Sequence, residues 1–417
     1  MPSDPALRDP SPASDPSSPG GASRALPDFS NTEETFRHLS DAQLSQASRL
    51  FRLMGQPWLT NVLSSLGAKA VRFRLPGAAW GVRRTIYRQF VGGVSLEDAL
   101  PNIKALAERG VTSLLDYGSE AGSDQAAFDH ALHEVERGIE FSSQNTAATA
   151  VVLKITGIAP DEVLENFNER SIDFETALPD DLAPVVARLD QVCSYASSAN
   201  VQVYLDAEES WFQNTIDQLA DEMMRRYNAE RVVVLNTFQL YRHDRLAFLK
   251  TSFERAGAMG YLLGAKLVRG AYMVKERARA AENNYASPIQ PDRESTHRDF
   301  NAAVRFCLEH LDRITLTIGS HNEESMTRAA EFMDSEGLRR DHPNVSFAQL
   351  LGMSDNLTFN LSAAGFRASK YMVYGPVTAV LPYLVRRAQE NSSVTGEMGR
   401  EATLIQRERQ RRRALGA

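Results

Sequence analysis

The stretch VQVYLDAEESWFQNTIDQLADEMMRRYNAERVVVLNTFQLY, from Val201 to Tyr241, decides the fold class. It begins with a short apolar run rich in β-branched and aromatic residues, continues through a longer amphipathic segment, and ends with a second apolar run. Two strands separated by a helix form the unit in which parallel strands are joined by a crossover helix. The stretch therefore predicts a parallel sheet covered by helices.

The same alternation extends over most of the chain. Eight strand–helix units in about three hundred residues fit a single (β/α)8 barrel. A doubly wound open sheet is the alternative, since periodicity does not show whether a sheet closes. No GxGxxG follows the first run and no P-loop occurs, so the usual nucleotide motifs of open sheets are missing. The six further runs are VTSLLDYG, TAVVLKITG, LLGAKLVRGAY, ITLTIGSHN, VSFAQLLG and SKYMVYGP.

The composition limits the class of protein. The chain has 417 residues, 43% of them hydrophobic, and a net charge of −7 with both signs interspersed, which argues against a nucleic-acid binder. Its two cysteines, Cys193 and Cys307, lack the clustering of zinc sites or disulfide frameworks and predict a reducing compartment. No run reaches the roughly 18 apolar residues of a membrane span, and no signal or transit peptide is evident. These features predict a cytoplasmic protein.

Four regions follow from the patterns along the chain. Residues 1–28 are rich in Pro, Ser and Asp and predict disorder, and residues 29–100 predict an N-terminal helical arm. Residues 101–400 predict the barrel, and residues 401–417 a basic C-terminal tail. Within that tail, RERQRRR predicts a solvated helix, with contact to an anionic membrane as the alternative.

A barrel predicts its active site at the C-terminal ends of its strands. Lys154 interrupts an otherwise apolar strand pattern, so its ammonium must be paired or must meet a ligand, and Asp206 is a candidate partner. A structural ion pair and a Schiff-base lysine of the aldolase type are the alternatives. The polar residues at the predicted strand ends are Asp116, Tyr117, Lys154, Asp206, Glu208, Gln239, Tyr241, Lys266, Arg269, Tyr272, Ser320, His321, Asn322, Gln349 and Tyr374.

Two adjacent arginines follow the last predicted strand in the helical pattern YLVRRAQENSS. Arg386 and Glu390 are four residues apart and fit an exposed helical pair worth a few tenths of a kcal/mol. The start of this helix faces the barrel mouth, however, which favours an anion-binding role for Arg386 or Arg387. His321 has no second ligand at metal spacing, so it predicts a hydrogen-bonding role, and no metal site is predicted.

Six motifs in order give the chain a resemblance to the proline dehydrogenase family. They are DAEES at Asp206, NTFQLY at Asn236, KLVRGAY at Lys266, GSHNEES at Gly319, FAQLLGMSDN at Phe347 and YGPVTAVLPYLVRRAQENSS at Tyr374. The resemblance covers about Val111 to Glu401 and is closer to the single-function enzymes than to the bifunctional ones.

The resemblance implies a distorted (β/α)8 barrel that holds FAD non-covalently. It implies oxidation of L-proline to Δ1-pyrroline-5-carboxylate by hydride transfer to flavin N5, the first step of proline catabolism to glutamate. Electrons would pass to a quinone, which implies peripheral association with the inner membrane. Hydroxyproline dehydrogenase is the alternative activity.

The resemblance also assigns residues. Lys154, Arg386 and Arg387 match groups that bind the proline carboxylate, and three cations around one carboxylate would fix both charge and orientation. Tyr374 and Tyr383 match aromatic walls around the ring.

Asp206 matches the acidic residue that supports the cations, and Asp206 and Lys266 are the predicted catalytic pair. Lys266 and Arg269 exchange the arginine and lysine of many bacterial members, so the flavin contact at Lys266 differs in geometry. The predicted cofactor contacts are Gln239, Lys266, Val268, Arg269, Gly270, Ala271, Tyr272, Ser320, His321 and Glu390.

Overall fold

A computed structural model describes residues 25–54, 86–118, 124–393 and 397–415, with side chains at 25–51, 86–118, 124–387 and 400–415. Its centre is a closed barrel of eight parallel strands in sequence order. The first strand pairs with both the second and the eighth, which confirms the (β/α)8 barrel and excludes the open sheet. The strands are β1 Val111–Tyr117, β2 Ala148–Leu153, β3 Gln202–Leu205, β4 Val234–Gln239, β5 Leu263–Val268, β6 Ile314–Gly319, β7 Val345–Leu350 and β8 Ala368–Tyr374.

Helices separate successive strands and flank the barrel. Two helices in succession, rather than one, join β2 to β3 and β5 to β6. The helices are α1 Thr32–Phe36, α2 Asp41–Met54, α3 Arg88–Phe90, α4 Leu96–Ala107, α5 Gln125–Ser143, α6 Asp161–Phe167, α7 Ala183–Ala199, α8 Ser210–Tyr227, α9 Arg245–Met259, α10 Met273–Glu282, α11 Arg293–Leu308, α12 Glu323–Ser335, α13 Asp355–Ala363, α14 Val377–Ser393 and α15 Glu397–Leu415.

Helix α8 shows why the stretch from Val201 to Tyr241 folds as one unit. It buries Phe212, Ile216, Leu219 and Met223, whose spacings of three and four residues place them on one face. Asn228 caps the C-terminal end of the helix and is fully buried. The Asn228 amide donates to the carbonyl of Val234, which begins β4, and to that of Leu262, directly before β5, and its oxygen accepts the N–H groups of Val233 and Val234. One side chain therefore joins the helix end to the next strand.

A balanced ionic group lies outside the barrel between α8 and α9. Arg245 donates to Asp217 at 2.5 Å and to Asp244 at 2.7 Å. Arg242 donates to Asp244 through two nitrogens, at 3.0 and 2.8 Å. Burial alone would raise the pKa of Asp244, but hydrogen bonds and charges from Arg245 and Arg242 outweigh it and lower that pKa. We call Asp217, Arg242, Asp244 and Arg245 the outer cluster.

The predicted basic tail forms helix α15, but it is not simply solvated. Glu408 is fully buried and accepts hydrogen bonds from Thr32, Arg411 and Arg412. Arg412 also donates to the backbone carbonyls of Phe36 and Leu39, at 2.8 and 2.7 Å. The prediction of a helix is confirmed, and the prediction that its arginines are solvated is wrong for Arg411 and Arg412, which dock α15 onto α1.

The predicted region limits cut across helices. Residue 101 is Pro101, inside α4, and residue 401 lies inside α15, so neither boundary coincides with a break in structure. Residues 1–24 of the predicted disordered segment and 55–85 of the predicted arm lie outside the described residues. In the parts of the chain that are described, no helix is long and apolar enough to cross a membrane.

Candidate active site

The C-terminal ends of the strands meet at one mouth of the barrel, where four polar side chains are connected. Lys266 on β5 forms an ion pair with Asp206, which follows β3. The hydroxyl of Tyr371 on β8 lies 2.9 Å from Asp206 Oδ2 and 2.8 Å from Asp116 Oδ2 on β1. We call Asp116, Asp206, Lys266 and Tyr371 the mouth cluster. It joins four strands of the barrel through side chains alone.

Lys154 lies beside this cluster, directly after β2 and at the start of the 3-10 turn Ile155–Gly157. Its charge acts on both Asp116 and Glu208. Asp206, the partner that the sequence proposed for Lys154, makes an ion pair with Lys266. The structure therefore places Lys154 at the mouth, as predicted, and shows that Lys266 is a cationic neighbour of Asp206.

Glu208 is a buried carboxyl that the predicted set of site residues omitted. It accepts hydrogen bonds from the Thr156 amide at 3.0 Å and the Thr156 hydroxyl at 2.5 Å, next to Lys154. Gln239 donates to the Glu208 carbonyl at 2.7 Å. Burial raises the pKa of Glu208 to about 7, against the lowering effect of Thr156 and Lys154. Glu208 thus links the segment that carries Lys154 to the predicted cofactor residue Gln239.

The pKa of Tyr272 shows that Arg386 lies at the same mouth. Burial raises the pKa of Tyr272 well above its ordinary value, and the charges of Glu208, Glu209 and Asp206 add to that rise. The charge of Arg386 opposes it. Arg386 therefore lies within electrostatic range of a tyrosine that also senses the carboxyl groups around Lys154.

Arg269 is held on the predicted cofactor side. Its three guanidinium nitrogens donate to His297 at 2.9 Å, Ser320 at 2.5 Å and Ser325 at 2.8 Å, and it lies over the Phe300 ring. These contacts fix the guanidinium at the ends of β5 and β6. The sequence predicted Arg269 and Ser320 as cofactor contacts, and the structure brings the two together.

The turn after β5 depends on Gly270. Its φ of 133° lies in a region that favours glycine, and a Cβ there would come within 2.4 Å of the Tyr241 ring. The neighbouring predicted contacts differ in accessibility: Val268 is half-buried and Ala271 is exposed.

His321 follows β6 and accepts or donates a hydrogen bond with the Ser354 hydroxyl at 3.0 Å. Burial lowers the pKa of His321 to about 3, and the charges of Lys370, Arg387 and Arg269 add to the shift. The imidazole is therefore neutral at physiological pH. The effect also shows that Arg387 lies near the predicted cofactor side.

The two predicted aromatic walls occupy different places. Tyr374 faces the helix layer, where its hydroxyl donates to the Glu134 carbonyl of α5 at 3.2 Å. A wall around a ligand in the barrel mouth does not fit this position, and Tyr371, three residues earlier, is the β8 tyrosine that faces the mouth. Tyr383 is buried, with the Arg387 guanidinium 5.4 Å from its ring centre. Glu390 lies outside the described side chains.

A closed parallel barrel with ion-paired and hydrogen-bonded polar residues at its C-terminal mouth is the architecture of a barrel enzyme. The family model described as proline dehydrogenase matches residues 99–400, which is most of the chain. This protein therefore belongs to the proline dehydrogenase family, as the motifs predicted.

Two relatives and one solved structure illustrate the similarity. The carbapenem antibiotics biosynthesis protein CarD of Pectobacterium carotovorum is 35% identical over 85% of this chain and 91% of its own. The hydroxyproline dehydrogenase of Xenopus laevis is 31% identical over 90% of this chain and 88% of its own. Proline utilization A from Bdellovibrio bacteriovorus has a TM-score of 0.67 at 17% identity, over 88% of this chain and 36% of that one. The last comparison supports the fold alone.

Proposed function

We propose that this protein oxidises L-proline to Δ1-pyrroline-5-carboxylate, with FAD as its cofactor. The observation that carries the proposal is the placement of Lys154 and Arg386 around the carboxyl groups at the mouth of a proline dehydrogenase-family barrel. Proline is a zwitterion, so a site for it needs cations for the carboxylate and acidic groups near the amine. The mouth offers both kinds of group.

In this proposal Lys154, Arg386 and Arg387 bind the substrate carboxylate. A guanidinium fork pairs with a carboxylate through two parallel hydrogen bonds and so fixes its orientation. Tyr383 packs beside Arg387 and restricts its movement. Tyr371 takes the role of ring contact that the sequence gave to Tyr374, because Tyr371 lies at the mouth. The chain's own work is then orientation of the substrate and exclusion of water.

The donors on the cofactor side fit a dinucleotide diphosphate. Arg269 is held by Ser320 and Ser325, and Arg387 lies near the neutral His321, so two guanidiniums and several uncharged donors surround one region. This set suits an anion with several oxygen acceptors. Bound FAD would supply the acceptor for the hydride. Gln239 and Lys266 would lie on the side of its ring system.

The electron acceptor we propose is a quinone, with contact at a membrane surface, and the reaction would begin the breakdown of proline towards glutamate. Support comes from the family resemblance only. A soluble ubiquinone analogue should reoxidise the proline-reduced protein, with turnover measured from quinone absorbance. If quinones do not reoxidise the reduced protein but an artificial electron-accepting dye does, the quinone is not the acceptor.

The second candidate substrate is 4-hydroxyproline. Xenopus hydroxyproline dehydrogenase aligns with most of this chain and with 88% of its own length, which favours testing both amino acids. The ratio of kcat/KM for the two substrates decides between them, because it measures differential binding of the transition state.

The proposed function is tested with purified protein and three variants. The protein should be yellow and should lose its flavin absorbance on addition of proline. Arg386→Ala and Lys154→Met should each raise the proline KM at least tenfold, because a desolvated charge pair is worth roughly 2–5 kcal/mol. Arg328→Ala is the matched control, since this arginine is 61% exposed on α12. Unchanged proline kinetics in both site variants would overturn the assignment.

A further inference from the structure

The hydroxyl of Tyr371 lies between two carboxylates and has one proton to give. Its oxygen is 2.8 Å from Asp116 Oδ2 and 2.9 Å from Asp206 Oδ2, both normal hydrogen-bond distances. An ionised carboxylate only accepts hydrogen bonds. With both carboxylates ionised, one of the two contacts therefore lacks a proton. One additional proton in the trio would complete both hydrogen bonds.

The surroundings show which carboxyl takes that proton. Asp206 is paired with Lys266, whose ammonium also lies 5.3 Å from the centre of the Tyr371 ring. Asp116 is 5% exposed. Asp206 therefore has a cation directly beside it, whereas Asp116 is the more deeply buried carboxyl, and burial favours its neutral form.

The charges that face Asp116 come from several elements of the barrel. Lys154 after β2 and Lys266 on β5 favour its ionised form, as does the hydrogen bond from Tyr371 on β8. Asp206 after β3 opposes it, and Tyr374 lies within electrostatic range on the side of the helix layer. Burial is the largest influence, and it raises the pKa of Asp116 to about 6. At neutral pH the group is then ionised and able to accept a proton.

We propose that Asp116, Tyr371 and Asp206 form the acceptor for the proton that the substrate amine must release. The proposal rests on the proposed function. The ring ammonium loses one N–H bond, Tyr371 relays the proton, and an O–H bond forms on Asp116. The neutral amine could then give up a hydride, with both electrons of the C–H bond, and bound FAD would supply the acceptor for it. Solvent removes the proton from Asp116 between turnovers.

The direction of the pH effect follows from the charge that Asp116 needs. A group that must be ionised to accept a proton is active above its pKa and inactive below it. For the wild-type protein, kcat should therefore fall about tenfold per pH unit below about pH 6.

Asp116→Asn tests the proposal. The asparagine amide keeps the shape of the side chain and donates to Tyr371, but it cannot accept a proton. At pH 7 kcat should fall at least about 100-fold, and the fall of kcat below about pH 6, the acidic limb of the pH profile, should disappear. The flavin absorbance per protein should be unchanged. Tyr371→Phe should lower kcat by a similar factor, and the double variant should be no slower. Glu134→Gln, a buried carboxyl behind the same strands, is the control and should keep the acidic limb.

Persistence of the acidic limb in Asp116→Asn would overturn the proposal, whatever happens to kcat. Infrared difference spectra of the unmodified protein, mixed with proline without an electron acceptor, decide the matter independently of whether the variant folds. A new protonated-carboxyl band is expected, and its absence also overturns the proposal. If proline does not bleach the flavin at all, the proposed function itself fails. Bleaching at a normal rate in Asp116→Asn would refute only the proton acceptor.

Discussion

The outer cluster and the mouth cluster are both largely buried groups of charges, but they are balanced differently. In the outer cluster two carboxylates meet two guanidiniums, and charge-assisted hydrogen bonds lower the pKa of Asp244. In the mouth cluster two carboxylates meet one ammonium and one hydroxyl, and burial raises the pKa of Asp116 to about 6. The charges of the outer cluster cancel, whereas the mouth cluster can take up a proton in our proposal.

This difference in charge balance indicates that the outer cluster supports the structure and that the mouth cluster takes part in the chemistry. A group of paired charges with no net charge holds elements together, and breaking it leaves a buried charge without compensation. A group with an unsatisfied acceptor costs stability, and strongly perturbed carboxyls in a concave site are typical of active sites. We therefore expect mutations in the outer cluster to change stability and mutations in the mouth cluster to change activity.

The largest expected effect on stability is in the outer cluster. Arg245→Ala removes the shared partner of Asp217 and Asp244, and we expect the free energy of unfolding to fall by about 3–5 kcal/mol. Asp116→Asn at the mouth should not lower it at pH 7, because the change removes a buried negative charge. Urea unfolding of both variants measures the contrast. Equal destabilisation by the two changes would abolish the distinction between the clusters.

The pH dependence of stability should have opposite signs in the two regions. The pKa of Glu208, at the mouth, is raised from 4.5 to about 7, so its stabilising effect is present below pH 4.5 and is lost as the pH rises through 7. Glu208→Gln should therefore gain about 3 kcal/mol relative to wild type between these limits. Asp244 has a lowered pKa, so its contribution is present above 3.8 and is lost in acid.

Asp244→Asn should accordingly be destabilised at neutral pH and approach wild type as the pH falls. Thermal unfolding of both variants across this range is the measurement. A common sign for Glu208→Gln and Asp244→Asn would contradict the opposition between the two regions.

The smallest effect should come from Tyr374, which shares β8 with Tyr371 but faces the helices. Tyr374→Phe removes one hydrogen bond to the Glu134 carbonyl and should cost about 1 kcal/mol. Its ratio of kcat/KM for hydroxyproline and proline should equal that of wild type. A changed ratio would show that Tyr374 contacts the substrate. It would also contradict the assignment of Tyr371 as the residue that contacts the substrate ring.

The sequence predicted the barrel because each strand carries its own signal, and all eight predicted runs contain a strand. It did not predict which face of a strand points inwards. Strands of a parallel barrel are buried on both sides, so apolar residues occur at every position and alternation is lost. Tyr371 and Tyr374 are therefore equivalent in the sequence. The pairing of β8 with β1 distinguishes them, and that pairing appears only when the barrel closes.

The positions of the candidate site residues were predicted from the strand ends and from the family resemblance. The ion pairs and hydrogen bonds between those residues were not predicted. The sequence showed Asp116 and Glu208 only as polar residues at strand ends. Their burial and their hydrogen-bond partners, which indicate a role in the site, are seen only in the structure. The pairing of Asp206 with Lys266 joins residues 60 positions apart, beyond the reach of any local pattern.

The contact of Arg412 with α1 also has a consequence for the order of events during synthesis. Arg412 donates to the carbonyl of Phe36, 376 residues earlier, which also accepts a hydrogen bond from the backbone N–H of Leu39. At ribosomal speeds of about 5–20 residues per second, the partner of that helix arrives roughly 20–75 s after the helix itself. During that interval α1 lacks the contacts that dock α15 onto it, so a nascent chain would expose this surface to chaperones.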